Sequence, residues 1–217
     1  LSEPLVFGAA YSVYVRIVRL TLAEKGVAYR LVEIDVFSPE GPPRDYLAER
    51  HPFGRIPAFE HGQFRLYETS AIVRYIDEAF VGPALQPSDP RARARMNQIV
   101  SLLDSYAYRT LVWDLFVERV RAPAQGRGPD EARIAAALPR ARTCLDALST
   151  LMADGPYLAG PDLTLADLHA APMFIYARLA AELATVMRQY PVLEAWLDRI
   201  SQRPAVAATR SPFEPPT

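Results

Sequence analysis

Around residue 81 the pattern of apolar residues changes for good, and that change limits the fold more than any other feature of the chain. Upstream, strand-like and helix-like stretches alternate. Residues 5–8 form a short apolar run with strand character. After a loop, Val15, Val18, Leu20 and Leu22 mark the apolar face of a helix that Gly26 stops. Residues 28–36 alternate as a second strand around Leu31, 38–43 are loop, and 45–50 a short helix. Two further strands, IPAFEHG and QFRLYE, join at His61-Gly62, a hairpin signal. The stretch SAIVRYIDEAF then reads as helix, with Ile72, Tyr75, Ile76, Ala79 and Phe80 on one face. The order is β-α-β-α-β-β-α.

Downstream of VGPALQPSDP (81–90), a linker by its proline and glycine content, only helical periodicity remains. It falls near 90–120, 130–153, 165–180 and 189–202, and the proline-rich tail PAVAATRSPFEPPT reads as an extended strap or a frayed end. The expected fold class is an α/β domain over 1–80, a linker over 81–90 and an all-α domain over 91–217.

Composition removes several functions. The 217 residues carry a net charge of −1, which gives no electrostatic reason to expect nucleic acid or an anionic membrane as partner. No apolar run approaches the roughly 20 residues that span a bilayer. The start, LSEP, has no basic segment followed by an apolar one, so no secretory leader is expected, and it lacks Met, so a few residues are expected to precede it. One cysteine, Cys144, excludes an internal disulfide and fits a reducing, cytoplasmic compartment. Lys25 is the one lysine and arginine fills the other basic positions, which points to a GC-rich bacterial genome. His51, His61 and His169 show no metal-ligand spacing, so no metal is expected.

The chemistry concentrates in HPFGRIPAFEHGQFRLYETSAIVRYI, residues 51–76. Pro57 heads a strand and removes a ladder donor there. Were the Ile56-Pro57 bond cis, Ile56 would turn its backbone groups to a ligand, and an extended peptide could pair with that edge. Taken alone, Pro57 is an ordinary edge-strand or turn proline. Some residues on, Thr69 or Ser70 can cap a helix running from Ala71 to Phe80, whose first N–H groups favour a carboxylate. Glu68 beside them suits an ammonium. Together these features describe a site for a peptide with a free amino-acid head.

The stretch resembles the glutathione-binding core of glutathione S-transferases, most nearly the phi-like, serine-type members with NPFGQ[VI]PAFEDG…L.ESRAI.YI. The likeness extends into the second domain through PDLTLADLHAAP (161–172). It implies a thioredoxin-like first domain, a cis bond at Pro57, and glutathione as co-substrate held by Arg55, Ile56, Pro57, Glu68, Thr69 and Ser70. It also implies a homodimer. His51 replaces the usual asparagine and Arg55 the usual glutamine, Arg55 being able to pair with a glutathione carboxylate. The histidine that often approaches the glycyl end is absent from SPEGPPRDYL, where Arg44 is the substitute on offer.

Transfer requires the thiolate, and a free cysteine thiol with a pKa of about 8.5 is a few per cent ionised at neutral pH. Lowering it by about two units takes roughly 2.7 kcal/mol of differential interaction, within reach of a hydroxyl donor and a helix N-terminus. Ser12 stands where the first helix begins, and Ser12-Val-Tyr-Val-Arg16 has the family's serine-to-arginine spacing. Ser12 is therefore the expected catalytic donor, with Tyr11 and Tyr14 as rivals. A small hydrophobic electrophile should bind between the domains, near Tyr11, Tyr14, Tyr108 and Trp113, with Tyr106 and Phe116 as further aromatics. Thr164 and Asp167 read as a capping box and Leu163 as a staple onto Leu168, a structural role; His169 and Cys144 read as packed. The expected activity is conjugation of glutathione to an electrophile, a detoxifying reaction. Glutathione-dependent dehalogenation, isomerisation or peroxide reduction, or a non-catalytic interaction module, are the alternatives.

Overall fold

The computed structural model describes residues 2–152 and 155–214. The chain divides into two compact units, Leu1–Ala84 with Pro204–Thr217, and Leu85–Arg203. The tail, expected in the domain spanning 91–217, thus groups with the first unit.

In the first unit four strands, β1 (Leu5–Phe7), β2 (Arg30–Val32), β3 (Ala58–His61) and β4 (Phe64–Tyr67), form one sheet in the order β2-β1-β3-β4. β1 runs parallel to β2 and antiparallel to β3, and β3 antiparallel to β4. The parallel pair needs a crossover, which α1 (Val13–Glu24) supplies. Gly26, at φ 68°, ends it: the Val27 N–H reaches the Leu22 carbonyl at 2.9 Å and the Gly26 N–H that of Ala23 at 3.1 Å, a Schellman stop. Val15, Val18, Leu20 and Leu22 are fully buried, as their spacing requires. The antiparallel pair needs only a hairpin, and Gly62 (φ 64°) with Gln63 closes it between His61 and Phe64. α2 (Arg44–Glu49) and α3 (Thr69–Ala79) complete the expected order. The buried face of α3 is Thr69, Ile72, Val73 and Ile76; Ala79 is exposed, and Tyr75 and Phe80 are half-buried against the His61 ring.

In the second unit Asp89 caps, and Pro90 starts, α4 (Pro90–Leu102). It continues without a break into a π-helical segment (Leu103–Arg121) and α5 (Ala122–Ala124). Nineteen residues of π-helix go far beyond the usual single-turn bulge, and no proline or glycine in the segment accounts for it. Its buried acids are tied down by arginines: Asp114 binds Arg133 at 2.7 Å and Arg140 at 3.0 Å, and Glu118 binds Arg127 at 2.8 Å and Arg133 at 2.9 Å. α6 (Glu131–Met152) and α7 (Leu165–Ala177) pack against that segment, and every residue of α7 is buried. Asp167, in its first turn, accepts from the Thr164 N–H at 2.8 Å, closing the expected capping box. α8 (Ala181–Met187) and α9 (Pro191–Ser201) finish the unit.

The tail was expected to be extended, yet α10 (Pro204–Ala208) forms and packs on α1. Beyond it Glu214 grips the buried Arg16 through two bonds, at 2.6 and 3.2 Å. That pairing of α1 with the tail is the strap.

Candidate active site

Three segments distant in sequence meet at one end of the sheet, and the registers say why. Phe7, the last residue of β1, pairs with Ala58, the first of β3, and Ala58 pairs with Tyr67, the last of β4. The chain therefore leaves β1 towards Ser12, enters β3 through Ile56 and Pro57, and leaves β4 into Glu68, all along one rung. Neighbouring strands lie about 4.8 Å apart, so the rung spans roughly 10 Å, about three extended residues.

Ser12 is the N-cap of α1, extended at φ −68° and ψ 132°, and its Oγ accepts from the Val15 N–H at 3.4 Å. The bond uses a lone pair and leaves the hydroxyl proton to be donated, beside the positive end of the helix dipole. Gly8, at φ 150°, makes the close approach possible: a Cβ there would run into a Val15 methyl and come within 3.1 Å of the Ile56 Cβ. The first turn of α1 and residue 56 are thus held together across a position without a side chain.

The Ile56-Pro57 bond is cis, and Ile56 lies outside the β1–β3 ladder, which begins at Ala58. Tyr46, 1 % exposed, donates its hydroxyl to the Arg55 carbonyl at 2.6 Å and so fixes the peptide just before Ile56. Burial pushes the Tyr46 hydroxyl well above the usual phenol range, against a smaller opposing pull from Arg50, so it stays a donor. The Arg55 side chain is exposed and makes no hydrogen bond or ion pair among the described residues.

At the third segment the cap is neither Thr69 nor Ser70. α3 begins at Thr69, and its N-cap is Glu68, at φ 71° and ψ 113°, without a side-chain capping bond. A positive φ at a non-glycine residue costs on the order of 1–3 kcal/mol and survives where neighbours over-determine it. Here the Ala71 and Ile72 N–H groups both take the Glu68 carbonyl at 3.0 Å, and the preceding Tyr67 ring packs on His51 at 4.9 Å. The Thr69 and Ser70 N–H groups precede those first bonds at the positive end of α3. The Glu68 carboxylate is exposed and has no hydrogen bond or ion pair among the described residues. His51 is 2 % exposed, and desolvation lowers its pKa; Glu68 pulls it up and Arg55 down by smaller amounts.

Comparison with known proteins decides the family. The family model described as "Glutathione S-transferase, N-terminal domain" matches residues 6–84, and "Glutathione S-transferase, C-terminal domain" matches 131–199. Glutathione S-transferase F14 of Arabidopsis thaliana is 32 % identical over 186 residues, covering 84 % of this chain and 73 % of its own. The chain belongs to the glutathione S-transferase family. Its fold matches glutathione transferase F7 of Populus trichocarpa with a TM-score of 0.84 at 29 % identity, over 95 % of this chain and 97 % of that one. A theta class glutathione S-transferase of Xanthomonas axonopodis pv. citri, solved with glutathione bound, matches with a TM-score of 0.77 at 28 % identity, over 96 % and 97 %. The F14 and F7 relatives are plant proteins; the expectation of a bacterial source rests on composition alone.

The family's two parts, a thioredoxin-like sheet and an all-helical unit, are both present here as expected. Of the rivals to Ser12, Tyr11 donates its hydroxyl to Asp35 at 2.8 Å, and Tyr14 lies in the first turn of α1. Tyr108 and Trp113 lie in the π-helical segment of the second unit. Phe116 is 2 % exposed against Tyr176 at 4.9 Å, a core residue. Among the described residues no group of three or more metal-ligating side chains occurs, and no helix is long and apolar enough to cross a membrane. Burial raises the Cys144 thiol, which is buried in α6. Tyr46 and Gly8 had no signal of their own in the sequence, since a tyrosine in a short helix and a glycine after a strand are both ordinary.

Proposed function

We propose that this transferase is of the serine type: it holds glutathione along the Phe7–Ala58–Tyr67 rung and activates the thiol at Ser12. The observation that carries the reading is the rung, whose roughly 10 Å suits a tripeptide. The γ-glutamyl ammonium meets Glu68 and its carboxylate the start of α3 at Thr69 and Ser70. The cysteinyl unit pairs with Ile56, and Arg55 lies open to the remaining carboxylate. Ser12 donates its hydroxyl to the sulfur and stabilises the thiolate; it is not a base, and the thiol proton passes to solvent water. The thiolate then attacks an electrophilic carbon, a C–S bond forms, and the leaving group departs with its electron pair. Dehalogenation, isomerisation and peroxide reduction would begin from the same thiolate.

A phi-like enzyme of a reducing compartment fits the relatives and the single buried thiol. A homodimer fits the exposed aromatics Phe53, Phe64 and Tyr67, which are 70, 48 and 38 % exposed.

Calorimetric titration of glutathione, with thiolate absorbance followed across neutral pH, tests the reading. A charge-assisted hydrogen bond is worth about 1.5–3 kcal/mol, so Ser12→Ala should raise the bound thiol's pKa by about one to two units. Tyr11→Phe should leave it unchanged, because that hydroxyl serves Asp35. An unchanged titration in Ser12→Ala would remove Ser12 from the chemistry.

A further inference from the structure

Resting on the reading of Glu68 as the partner of the glutathione ammonium, we infer that His51 is a positioning residue for that contact. Neutral, its ring seats Glu68; protonated, it competes for Glu68 and weakens glutathione binding. The His51 backbone is tied to α2 and to the loop before Ile56: its N–H donates to the Tyr46 carbonyl at 3.0 Å, and its carbonyl accepts from the Gly54 N–H at 2.9 Å. The ring is tied to β4. It meets the Tyr67 ring at 4.9 Å with planes at 40°, and Phe53 stands edge-on to both, at 6.2 Å from His51 and 6.3 Å from Tyr67. Tyr67 ends β4, and Glu68 follows it directly at φ 71°. The imidazole is therefore the floor under the strained residue that the ligand meets.

One atom of that floor is left over. His51 is 2 % exposed, and its buried Nδ1 has no hydrogen-bond partner among the described residues. A buried polar atom without a partner costs free energy that an apolar ring of the same shape would not. The charged and titratable groups around it are few. Glu68, at the cap of α3, and Arg55, in the loop, act on the ring with opposite signs. Tyr46 of α2 gives its hydroxyl to the Arg55 carbonyl at 2.6 Å, and Tyr67 of β4 offers its ring. Arg50 turns to the Phe7 ring at 4.5 Å and to Glu49 and Glu60 at 3.5 and 3.7 Å. A proton on His51 thus finds one carboxylate to answer it, that of Glu68.

The result is a competition. The imidazolium and the ligand's ammonium are two cations that draw on one carboxylate and repel each other, so proton and glutathione bind at each other's expense. Burial is the largest influence on His51 and lowers its pKa; Glu68 opposes burial, Arg55 adds to it, and the residue's own backbone gives the smallest pull, upward. Binding should therefore strengthen as pH rises through that lowered pKa and level off above it, where the ring is neutral and Glu68 is open to the ligand. Asparagine, which the resembling pattern carries at this position, takes no proton, so the dependence belongs to this chain's histidine.

Calorimetry measures the affinity of the full-length protein for S-methylglutathione, which has no thiol to titrate, from about pH 5 to pH 8 in wild type and His51→Asn. Wild-type affinity should fall roughly fivefold or more as pH drops through the His51 titration, and His51→Asn should show no such fall. The deaminated ligand, S-methylated glutaryl-cysteinylglycine, should bind wild type without that fall, because it brings no ammonium. The chain has three histidines, so proton NMR of their rings follows the proton directly, with His51→Asn or His51→Gln identifying the resonance. Saturating S-methylglutathione should move the His51 titration to lower pH by the logarithm of the same factor. An equal fall in His51→Asn, an equal fall with the deaminated ligand, or a His51 titration indifferent to the ligand overturns the inference. The last two are read on wild type, whatever the variants do to folding. Wild type that binds both ligands equally at neutral pH, or neither, removes the underlying reading of Glu68; a preference for the ammonium ligand that ignores pH removes the inference alone.

Discussion

Asp167 is the most committed side chain in the second unit, and its replacement by asparagine has a cost that can be worked from four distances. One carboxylate oxygen accepts from the Leu158 N–H at 2.8 Å and the Trp196 indole N–H at 2.9 Å. The other accepts from the Thr164 N–H at 2.8 Å and the Thr164 hydroxyl at 3.0 Å. Burial pushes the carboxyl above its ordinary range, and the four hydrogen bonds oppose that by smaller amounts; every one of those four partners is a donor, which an ionised carboxylate accepts from best. Asp167→Asn turns one acceptor oxygen into an NH2 group that faces two donors. The Thr164 hydroxyl can rotate and accept from it, but one backbone N–H is orphaned, at about 1–3 kcal/mol, and the remaining bonds lose their charge assistance. The sum is about 3–5 kcal/mol, against a total stability of order 5–15. Both tryptophans, Trp113 and Trp196, lie in this unit, so urea unfolding followed by their fluorescence reports it directly. A loss under about 1 kcal/mol at unchanged slope would refute the reasoning, because the donors would then have found other acceptors.

Tyr46→Phe removes the hydroxyl that holds the Arg55 carbonyl, about 1 kcal/mol of positioning, so KM for glutathione should rise roughly fivefold with kcat largely kept. Unchanged KM would show that the loop before Ile56 needs no tether. His51 titrates below the ordinary histidine range because it is buried, so the folded state binds its proton later than the unfolded chain does. Wild type should therefore lose stability as pH falls below about 6.5 and through the lowered pKa, at about 1.4 kcal/mol for each unit of lowering. His51→Asn should remove that part of the slope, as read from melting curves over the same range. An identical pH dependence in the variant would sink the assignment.

The punctuation of both units was legible where its causes are local. Gly26 stops α1 through its own φ, Gly62 closes the hairpin, and the Thr164–Asp167 spacing announces the start of α7. Glu68 was not legible. Local capping preference points to Thr69 or Ser70, whereas the observed cap needs a positive φ that only the packing of Tyr67 on His51 and the bonds to its carbonyl make tolerable. Arg16 carried the right spacing from Ser12, but its partner stands 198 residues away, a distance no periodicity can encode. α8 and α10 are each under eight residues, too short to show a periodic face, and prolines in the tail argued for an extended chain. The π-helical winding has no counterpart in composition at all.

Why the candidate site nevertheless showed in the sequence follows from antiparallel pairing. β1 runs to the rung, β3 runs away from it, and β4 runs back to it, so the exit of β1, the entry of β3 and the exit of β4 must share one end of the sheet. Ser12, Ile56-Pro57 and Glu68-Thr69 follow or precede those ends directly, and this is why residues more than fifty positions apart behave as one motif. The price of that economy is register. A one-residue slip of β3 against β1 would turn Ala58 and Phe59 to opposite faces and move Ile56 along the sheet relative to Ser12. Ala58 and Phe59 are each 1 % exposed, on opposite faces of the strand, so neither can reverse without displacing packed neighbours. The core that holds this register is therefore also what sets the distance between Ser12 and the Ile56 edge.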